Sequence, residues 1–235
     1  MMLSMCKKVV CFDLDDTLYK EIDFLKSGYK KVSELVEKRF GFDSRLIYDK
    51  LICWYYKGEN AFVRLNEQYG IGNSIEDYLN IYRYHHPSLI LSEETKKMLT
   101  KLKDLGVILG IITDGRKITQ TQKVKALKLS KWINWDCVLI NEDKNHFKPN
   151  HWSFEQMMQH CYDINSGVDS DFYYVGDNPE KDFLAPNELG WTTVMLEDDG
   201  KNIHKQGCVT EAYKPKITIA KIEQIIEIIL KSASV

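Results

Sequence analysis

The sequence has 235 residues, of which 44% are hydrophobic and 28% are charged, a composition typical of folded globular proteins. Its 32 basic and 34 acidic side chains give a formal net charge of −2, which argues against a nucleic-acid partner because nucleic-acid-binding surfaces are strongly basic. No apolar run approaches the roughly 18 residues needed to cross a bilayer. The N-terminal segment also lacks the basic and then apolar pattern of a secretory signal, so we expect no membrane partner.

The six cysteines are scattered along the chain and form no CxxC pair. A structural zinc site or a disulfide framework needs cysteines at closer, paired spacing, so we expect neither. Free thiols fit a reducing compartment. We accordingly predict a cytoplasmic protein.

Five short apolar runs have the length and composition of buried strands. In chain order they are residues 8–12, 107–112, 137–140, 172–175 and 192–196. Helix-length segments such as residues 118–127 lie between them, and isoleucines at helical spacing predict a closing helix over residues 219–230. Strands that alternate with helices predict right-handed crossovers and an α/β fold with a Rossmann-like, doubly wound parallel sheet.

One interval interrupts this alternation. Residues 19–91 contain no convincing strand and instead carry apolar side chains at helical spacing, for example at Leu25, Tyr29 and Val32. The interval is too long for a loop in a compact domain, so it predicts several short helices. We interpret residues 19–91 as a helical cap inserted into a catalytic core made of residues 1–18 and 92–235.

Unusual polar groups follow the predicted strands. In chain order they are Asp13-Leu14-Asp15-Asp16-Thr17, Thr113-Asp114-Gly115, Lys148-Pro149 and the segment from Gly176-Asp177 to Asp182. The carboxyl ends of parallel strands lie at one edge of the sheet, where ligands bind in open α/β folds. We therefore expect these groups to form a single site.

The side chains of this predicted site suit phosphoryl transfer. Its carboxylates are Asp13, Asp15, Asp177 and Asp182. They would repel one another unless a cation held them, and Mg²⁺ prefers a few carboxylates together with water and phosphate oxygens. The hydroxyl of Thr113 and the ammonium of Lys148 supply the donors that a phosphoryl group needs. A carboxylate can also act as the nucleophile and form an acyl-phosphate.

The complete ordered set resembles the four motifs of the haloacid dehalogenase superfamily. The matching positions are Asp13-x-Asp15-x-Thr17, Thr113, Lys148-Pro149 and Gly176-Asp177-x-x-x-x-Asp182. The helical interval after the first motif is similar to the inserted cap of that superfamily's capped phosphatases. Each motif alone is common by chance, whereas all four in order at strand ends form a specific signal.

The resemblance implies a catalytic role for four residues. Asp13 would attack phosphorus and become phosphorylated. Asp15 would protonate the leaving oxygen and then deprotonate the water that hydrolyses the intermediate. Thr113 would bind a phosphoryl oxygen, and Lys148 would stabilise both the nucleophile and the developing charge.

The resemblance also implies a Mg²⁺ site. Asp13, the backbone carbonyl of Asp15 and Asp177 would hold the ion, and Asp182 would support it directly, through water or through Lys148. The predicted metal residues are thus Asp13, Asp15, Asp177 and Asp182.

Among the reactions of the superfamily, Asp15 favours phosphate ester hydrolysis. A dehalogenase releases halide, which needs no acid, whereas an ester leaving group needs a proton. A sugar phosphomutase is an alternative, although such enzymes usually have Gly where Asp16 stands. A haloacid dehalogenase and a catalytically inactive binding protein are the remaining alternatives.

The turn Asp114-Gly115-Arg116 is the predicted substrate-binding segment. Asp114 is expected mainly to shape the turn, whereas the guanidinium of Arg116 could bind a second anionic group. The sequence therefore predicts a Mg²⁺-dependent phosphatase that forms an aspartyl-phosphate. The predicted partner is a small phosphorylated metabolite, either a nucleotide or an acidic sugar phosphate.

Overall fold

A computed structural model describes residues 7–232. Within that range the strands are β1 Lys7–Phe12, β2 Ile108–Asp114, β3 Val138–Asn141, β4 Ser170–Gly176, β5 Thr192–Leu196 and β6 Ile217–Ile219. They form one sheet in the order β3-β2-β1-β4-β5-β6, and every neighbouring pair is parallel.

Helices connect the strands. They are α1 Glu21–Phe40, α2 Ser44–Tyr56, α3 Ala61–Tyr69, α4 Ile75–Tyr84, α5 Glu93–Asp104, α6 Lys117–Ala126, α7 Trp152–Ile164, α8 Leu184–Glu188 and α9 Ile225–Lys231. The predicted doubly wound α/β fold is confirmed. None of the helices in the described range is long and apolar enough to span a membrane.

The central strand β1 positions the candidate site. The strand order reverses at β1, which pairs with β2 on one side and β4 on the other. Val9, Val10 and Phe12 are fully buried, which accounts for the continuous apolar run in the sequence. The ladder ends where the backbone N–H of Asp13 donates to the carbonyl of Val175 at 2.9 Å. Asp13 therefore lies at the switch point of the sheet, where ligands bind in such folds.

The C-terminal region differs from its prediction. The expected helix over residues 219–230 is wrong at its start, because Ile217–Ile219 forms the edge strand β6 and the α-helix begins only at Ile225. Ile217 pairs with Val194 of β5. The spacing of the isoleucines could not distinguish the two structures, because a strand of three residues is too short to show a period of two.

The chain divides into two compact units, one of which is Ile22–Leu89. This helical unit contains nearly all of α1 and the whole of α2, α3 and α4. Three of its helices begin at side chains that accept backbone N–H bonds, namely Asp43, Asn60 and Ser74. The other unit contains the sheet and the remaining helices. The divisions fall at residues 21/22 and 89/90, and the cap boundaries expected at 18/19 and 91/92 stay a prediction.

Candidate active site

The predicted motifs lie at the carboxyl edge of the sheet. Asp13 directly follows β1, Thr113 and Asp114 are the last residues of β2, and Asp177 directly follows β4. Lys148 lies on the connection between β3 and α7. The structure thus brings the four motifs together, and the contacts of each side chain define what the site can do.

The ammonium of Lys148 is the hub of the site. It donates to Oδ1 of Asp13 at 2.7 Å, to Oδ1 of Asp182 at 2.7 Å and to the hydroxyl of Tyr174 at 2.8 Å. The side chains of Lys148 and Asp182 are 0% exposed and that of Asp13 is 2% exposed. Burial lowers the pKa of Lys148, but the two carboxylates outweigh burial and raise it well above its usual value. Lys148 is therefore charged.

Three carboxylates form a buried acidic cluster. One oxygen from each of Asp13, Asp177 and Asp182 lies within 4.8 Å of the others. Burial and the neighbouring carboxylates of Asp182 and Asp13 raise the pKa of Asp177 to about 8. Burial would also raise the pKa of Asp182, but Lys148 and the neighbouring Lys181 hold it below its usual value. The two lysines therefore compensate part of the acidic charge, and the raised pKa of Asp177 reflects the repulsion that remains.

The position of Asp182 depends on a glycine. A Cβ atom at Gly176 would lie 2.6 Å from Oδ2 of Asp182, which is closer than real Cβ contacts allow. The same oxygen accepts the backbone N–H of Asn178 at 2.9 Å. Gly176 ends β4. The absence of a side chain there lets the turn fold back and bring Asp182 beside Lys148.

The acidic cluster fits a Mg²⁺ ion. Mg²⁺ prefers hard carboxylate oxygens, and the cluster supplies them from the ends of two strands. Oδ2 of Asp13 is buried and has no hydrogen-bond partner in the described part of the chain. A cation would satisfy that oxygen and relieve the repulsion at Asp177. The carboxylate of Asp15 is not in this cluster, and the predicted use of its backbone carbonyl stays a prediction.

The segment after β5 also contacts Asp177. Nδ2 of Asn202 donates to Oδ2 of Asp177 at 2.9 Å, and Nε2 of Gln206 donates to its backbone carbonyl at 2.7 Å. Sequence reasoning missed both residues. The signal available was weak, because Asn and Gln in an irregular segment have many surface roles.

The carboxylate of Asp15 has its own group of partners. Nζ of Lys123 donates to its two oxygens at 2.8 and 2.9 Å, and Nε2 of Gln120 donates to Oδ2 at 2.9 Å. The hydroxyl of Tyr19 forms a further hydrogen bond with Oδ1. Burial would raise the pKa of Asp15, but Lys123 and these hydrogen bonds hold it below its usual value. Asp15 and Asp13 thus have different cationic partners.

The predicted substrate-binding turn has two distinct parts. Oδ1 of Asp114 accepts Nδ2 of Asn141 at 2.8 Å and the backbone N–H of Lys148 at 3.3 Å, so Asp114 helps to fix the loop that carries Lys148. Gly115 has a φ of 135°, a value that other residues rarely adopt. Arg116 is exposed at the start of α6. Of the three residues, Arg116 is the most exposed, and its role in binding stays a prediction.

A doubly wound parallel sheet with an aspartate directly after its central strand, next to a buried lysine and further carboxylates, defines a class of hydrolases. The chain belongs to the haloacid dehalogenase-like hydrolase family, whose sequence profile matches residues 10–196. The resemblance inferred from the motifs is confirmed, and the chain is an enzyme of that family.

The curated relatives are archaeal phosphatases. The glyceraldehyde 3-phosphate phosphatase of Methanocaldococcus jannaschii is 28% identical over 201 residues, which cover 80% of this chain and 84% of that protein. The protein of the same name from Pyrococcus furiosus is 25% identical over 202 residues, which cover 81% and 80% of the two chains.

Solved structures share the fold. A HAD phosphatase from Thermococcus onnurineus has a TM-score of 0.57 and 20% identity, covering 94% of this chain and 97% of that one. A HAD-hydrolase from Bacillus subtilis bound to magnesium has a TM-score of 0.61 and 16% identity, covering 95% and 98%. At these identities the likeness concerns the fold alone.

The ion pairs of Lys148 predict how a substitution at this residue changes the stability of the fold. Replacing Lys148 by Met leaves the buried carboxylates of Asp13 and Asp182 without their counter-ion, which typically costs about 3–5 kcal/mol of unfolding free energy. Urea unfolding in the presence of EDTA measures this loss. The matched control is Lys125→Met on the exposed side of α6, which should change stability by less than about 0.5 kcal/mol. Equal stability of the two variants would show that Lys148 does not stabilise the fold as the counter-ion of these carboxylates.

The pH dependence of this loss follows from the lowered pKa of Asp182. A carboxylate whose pKa is lower in the folded chain stabilises the fold above its unfolded pKa, and that contribution disappears as the pH falls through the folded value. The difference between wild type and Lys148→Met should be largest near neutral pH. It should shrink below about pH 4, the usual range for aspartate. A difference that grows toward acid pH would exclude this explanation.

Proposed function

We propose that this enzyme is a Mg²⁺-dependent phosphatase that hydrolyses small phosphate monoesters through an aspartyl-phosphate on Asp13. The observation that carries the proposal is the state of the Asp13 carboxylate. One of its oxygens accepts Lys148 at 2.7 Å, and the other is buried without a hydrogen-bond partner in the described range. The carboxylate is thus held rigidly while one oxygen stays available for a ligand or for bond formation.

The proposed reaction has two steps, and each uses groups that lie at this edge of the sheet. Asp13 attacks phosphorus, the P–O bond to the leaving group breaks, and Asp15 gives a proton to the leaving oxygen. Lys148 stabilises the negative charge that develops around the nucleophile, and the hydroxyl of Thr113 binds a phosphoryl oxygen. Water then attacks the phosphorus of the aspartyl-phosphate, and Asp15 accepts a proton from it. This step regenerates the free carboxylate of Asp13 and releases inorganic phosphate.

A bound Mg²⁺ would neutralise the charge shared by the phosphoryl oxygens and the acidic cluster. Asp13, Asp177 and Asp182 supply the oxygens that would hold it, and the backbone carbonyl of Asp15 is a further proposed ligand. Asn202 would orient Asp177 through its 2.9 Å hydrogen bond to Oδ2. The choice of ion rests on the buried carboxylate cluster, whose hard oxygens suit Mg²⁺.

The substrate proposal combines the relatives with the turn at Arg116. The curated relatives are named for glyceraldehyde 3-phosphate, a three-carbon phosphate ester without a second anionic group. The exposed guanidinium of Arg116 instead favours a substrate with a second negative charge, such as an acidic sugar phosphate or a nucleotide.

The first test concerns Asp13. Asp13→Asn should lower turnover of para-nitrophenyl phosphate by several orders of magnitude, because the amide is a poor nucleophile. Asp171→Asn is the matched control, since it makes the same change at an exposed position near the start of β4. Turnover by Asp13→Asn at the level of this control would remove the proposed function. Mass spectrometry of the wild type quenched during turnover should also detect a phosphate adduct on the peptide that contains Asp13.

The second test concerns the metal. Dialysis against EDTA should abolish turnover, and Mg²⁺ should restore it far better than Ca²⁺, whose looser coordination shell spoils the alignment of the reacting groups. Added Mg²⁺ should also raise the melting temperature, because the ion binds the folded chain only. Asp177→Asn should lose this thermal shift, whereas Asp171→Asn should keep it. A thermal shift that survives in Asp177→Asn would contradict the proposed ligands.

The third test separates the two substrate proposals. Glyceraldehyde 3-phosphate and 3-phosphoglycerate have the same carbon skeleton and differ in an aldehyde versus a carboxylate. If Arg116 contacts a second anion, Arg116→Ala should lower kcat/KM for 3-phosphoglycerate about five- to tenfold and leave glyceraldehyde 3-phosphate nearly unchanged. Lys117→Ala, which removes the neighbouring exposed charge, is the control for a general field effect. Equal losses on both substrates would exclude a selective role for Arg116.

A further inference from the structure

Helix α6 buries two polar side chains on one face. Gln120 is 2% exposed and Lys123 is 3% exposed. They lie three residues apart, so both project from the same side of the helix. A buried lysine costs a large desolvation free energy unless it is paired. Its partner is Asp15, which belongs to the first motif.

The contacts fix both oxygens of Asp15. Lys123 binds Oδ1 at 2.8 Å and Oδ2 at 2.9 Å, and Gln120 binds Oδ2 at 2.9 Å. The Nε2 atom of Gln120 also donates to Oγ1 of Thr113 at 2.7 Å. Gln120 therefore ties Asp15 to the residue that is proposed to bind a phosphoryl oxygen.

The donors around Asp15 suit a carboxylate that accepts hydrogen bonds. An ammonium and an amide NH₂ can only donate, so Lys123 and Gln120 match an acceptor on each oxygen of Asp15. Glu21 is a second acceptor near Lys123, because its Oε1 lies 3.9 Å from Nζ. Lys123 therefore lies closest to Asp15, with Glu21 as a more distant carboxyl neighbour.

We propose that Lys123 and Gln120 are positioning residues that hold Asp15 for the hydrolysis of the phosphoenzyme. In this step the water oxygen bonds to phosphorus, the bond from phosphorus to the Asp13 oxygen breaks, and one water proton passes to Asp15. Asp15 must then lie at a fixed distance from the attacking water, and α6 supplies that constraint. The inference rests on the proposed function, because it assigns residues that support the second step of that reaction, the hydrolysis of the aspartyl-phosphate.

Lys123→Met tests the inference by separating the two half-reactions. Para-nitrophenolate leaves without a proton, so its release in the first turnover should stay within about threefold of wild type. The hydrolysis rate of the phosphoenzyme, followed by rapid quenching, should fall at least about tenfold, because a misplaced general base loses most of its effect. Lys123→Arg keeps the charge and should recover a large part of this rate. Equal slowing of both half-reactions by Lys123→Met would overturn the inference.

The same substitution made in the Asp15→Asn variant distinguishes a positioning role of Lys123 from a general structural effect. In Asp15→Asn the phosphoenzyme should also be long-lived, and adding Lys123→Met should change its lifetime less than about threefold, because Lys123 acts through Asp15. Lys123→Met should lower the melting temperature of the wild type and raise that of Asp15→Asn, where the buried ammonium has lost a charged partner. A further tenfold slowing of hydrolysis in the double variant would refute the proposal.

Two controls complete the design. Should Lys123→Met not fold, Gln120→Leu removes only the amide donor and should slow phosphoenzyme hydrolysis in the same selective manner. If no phosphoenzyme forms in the wild type or in Asp15→Asn, the proposed function fails and the inference fails with it. If Asp15→Asn traps the phosphoenzyme and neither α6 variant does, the inference alone is overturned.

Discussion

A single buried ammonium between carboxylates constrains the catalytic edge of this enzyme. Lys148 lies on the connection between β3 and α7 and bonds at 2.7 Å to Asp13 after β1 and to Asp182 after β4. Charges this deeply buried are stable only when they are paired and hydrogen-bonded. The loops after three strands must therefore meet within hydrogen-bonding distance. Asp114 contributes by accepting the backbone N–H of Lys148, and Gly176 by leaving space for Asp182.

The same edge contains a second ion pair with a different composition. Asp13 lies in a group with an excess of carboxylates, whereas the two oxygens of Asp15 are matched by Lys123 and Gln120. The first environment raises the pKa of Asp13 through burial, and the second lowers that of Asp15 through its cationic partner despite burial. Two aspartates that are two residues apart in the chain thus have different electrostatic surroundings. Divided roles for paired carboxylates require such a difference.

Much of the fold could be predicted because short stretches of the sequence indicate most of its strands and helices. Each of the first five strands contains a short, mainly apolar run, since a parallel sheet with helices on its faces buries both sides of its strands. The motif residues lie at the ends of these runs, and the carboxyl ends of parallel strands share one edge of the sheet. The sequence therefore predicted that Asp13, Thr113 and Asp177 lie close together. The sixth strand was not predicted, because an edge strand of three residues shows too little pattern to be distinguished from a helix.

The sequence alone determined the alternation of strands and helices, the positions of the four motifs and the family to which the chain belongs. The tertiary structure decided which side chains meet. Lys123 and Asp15 are 108 residues apart, and Asn202 and Asp177 are 25 residues apart. Nothing in the local composition pairs them, because hydrogen-bonding partners are selected by the packing of α6 and of the segment after β5 against the sheet edge. Distances of 2.8 to 2.9 Å in a buried site arise only when the whole fold fixes both partners.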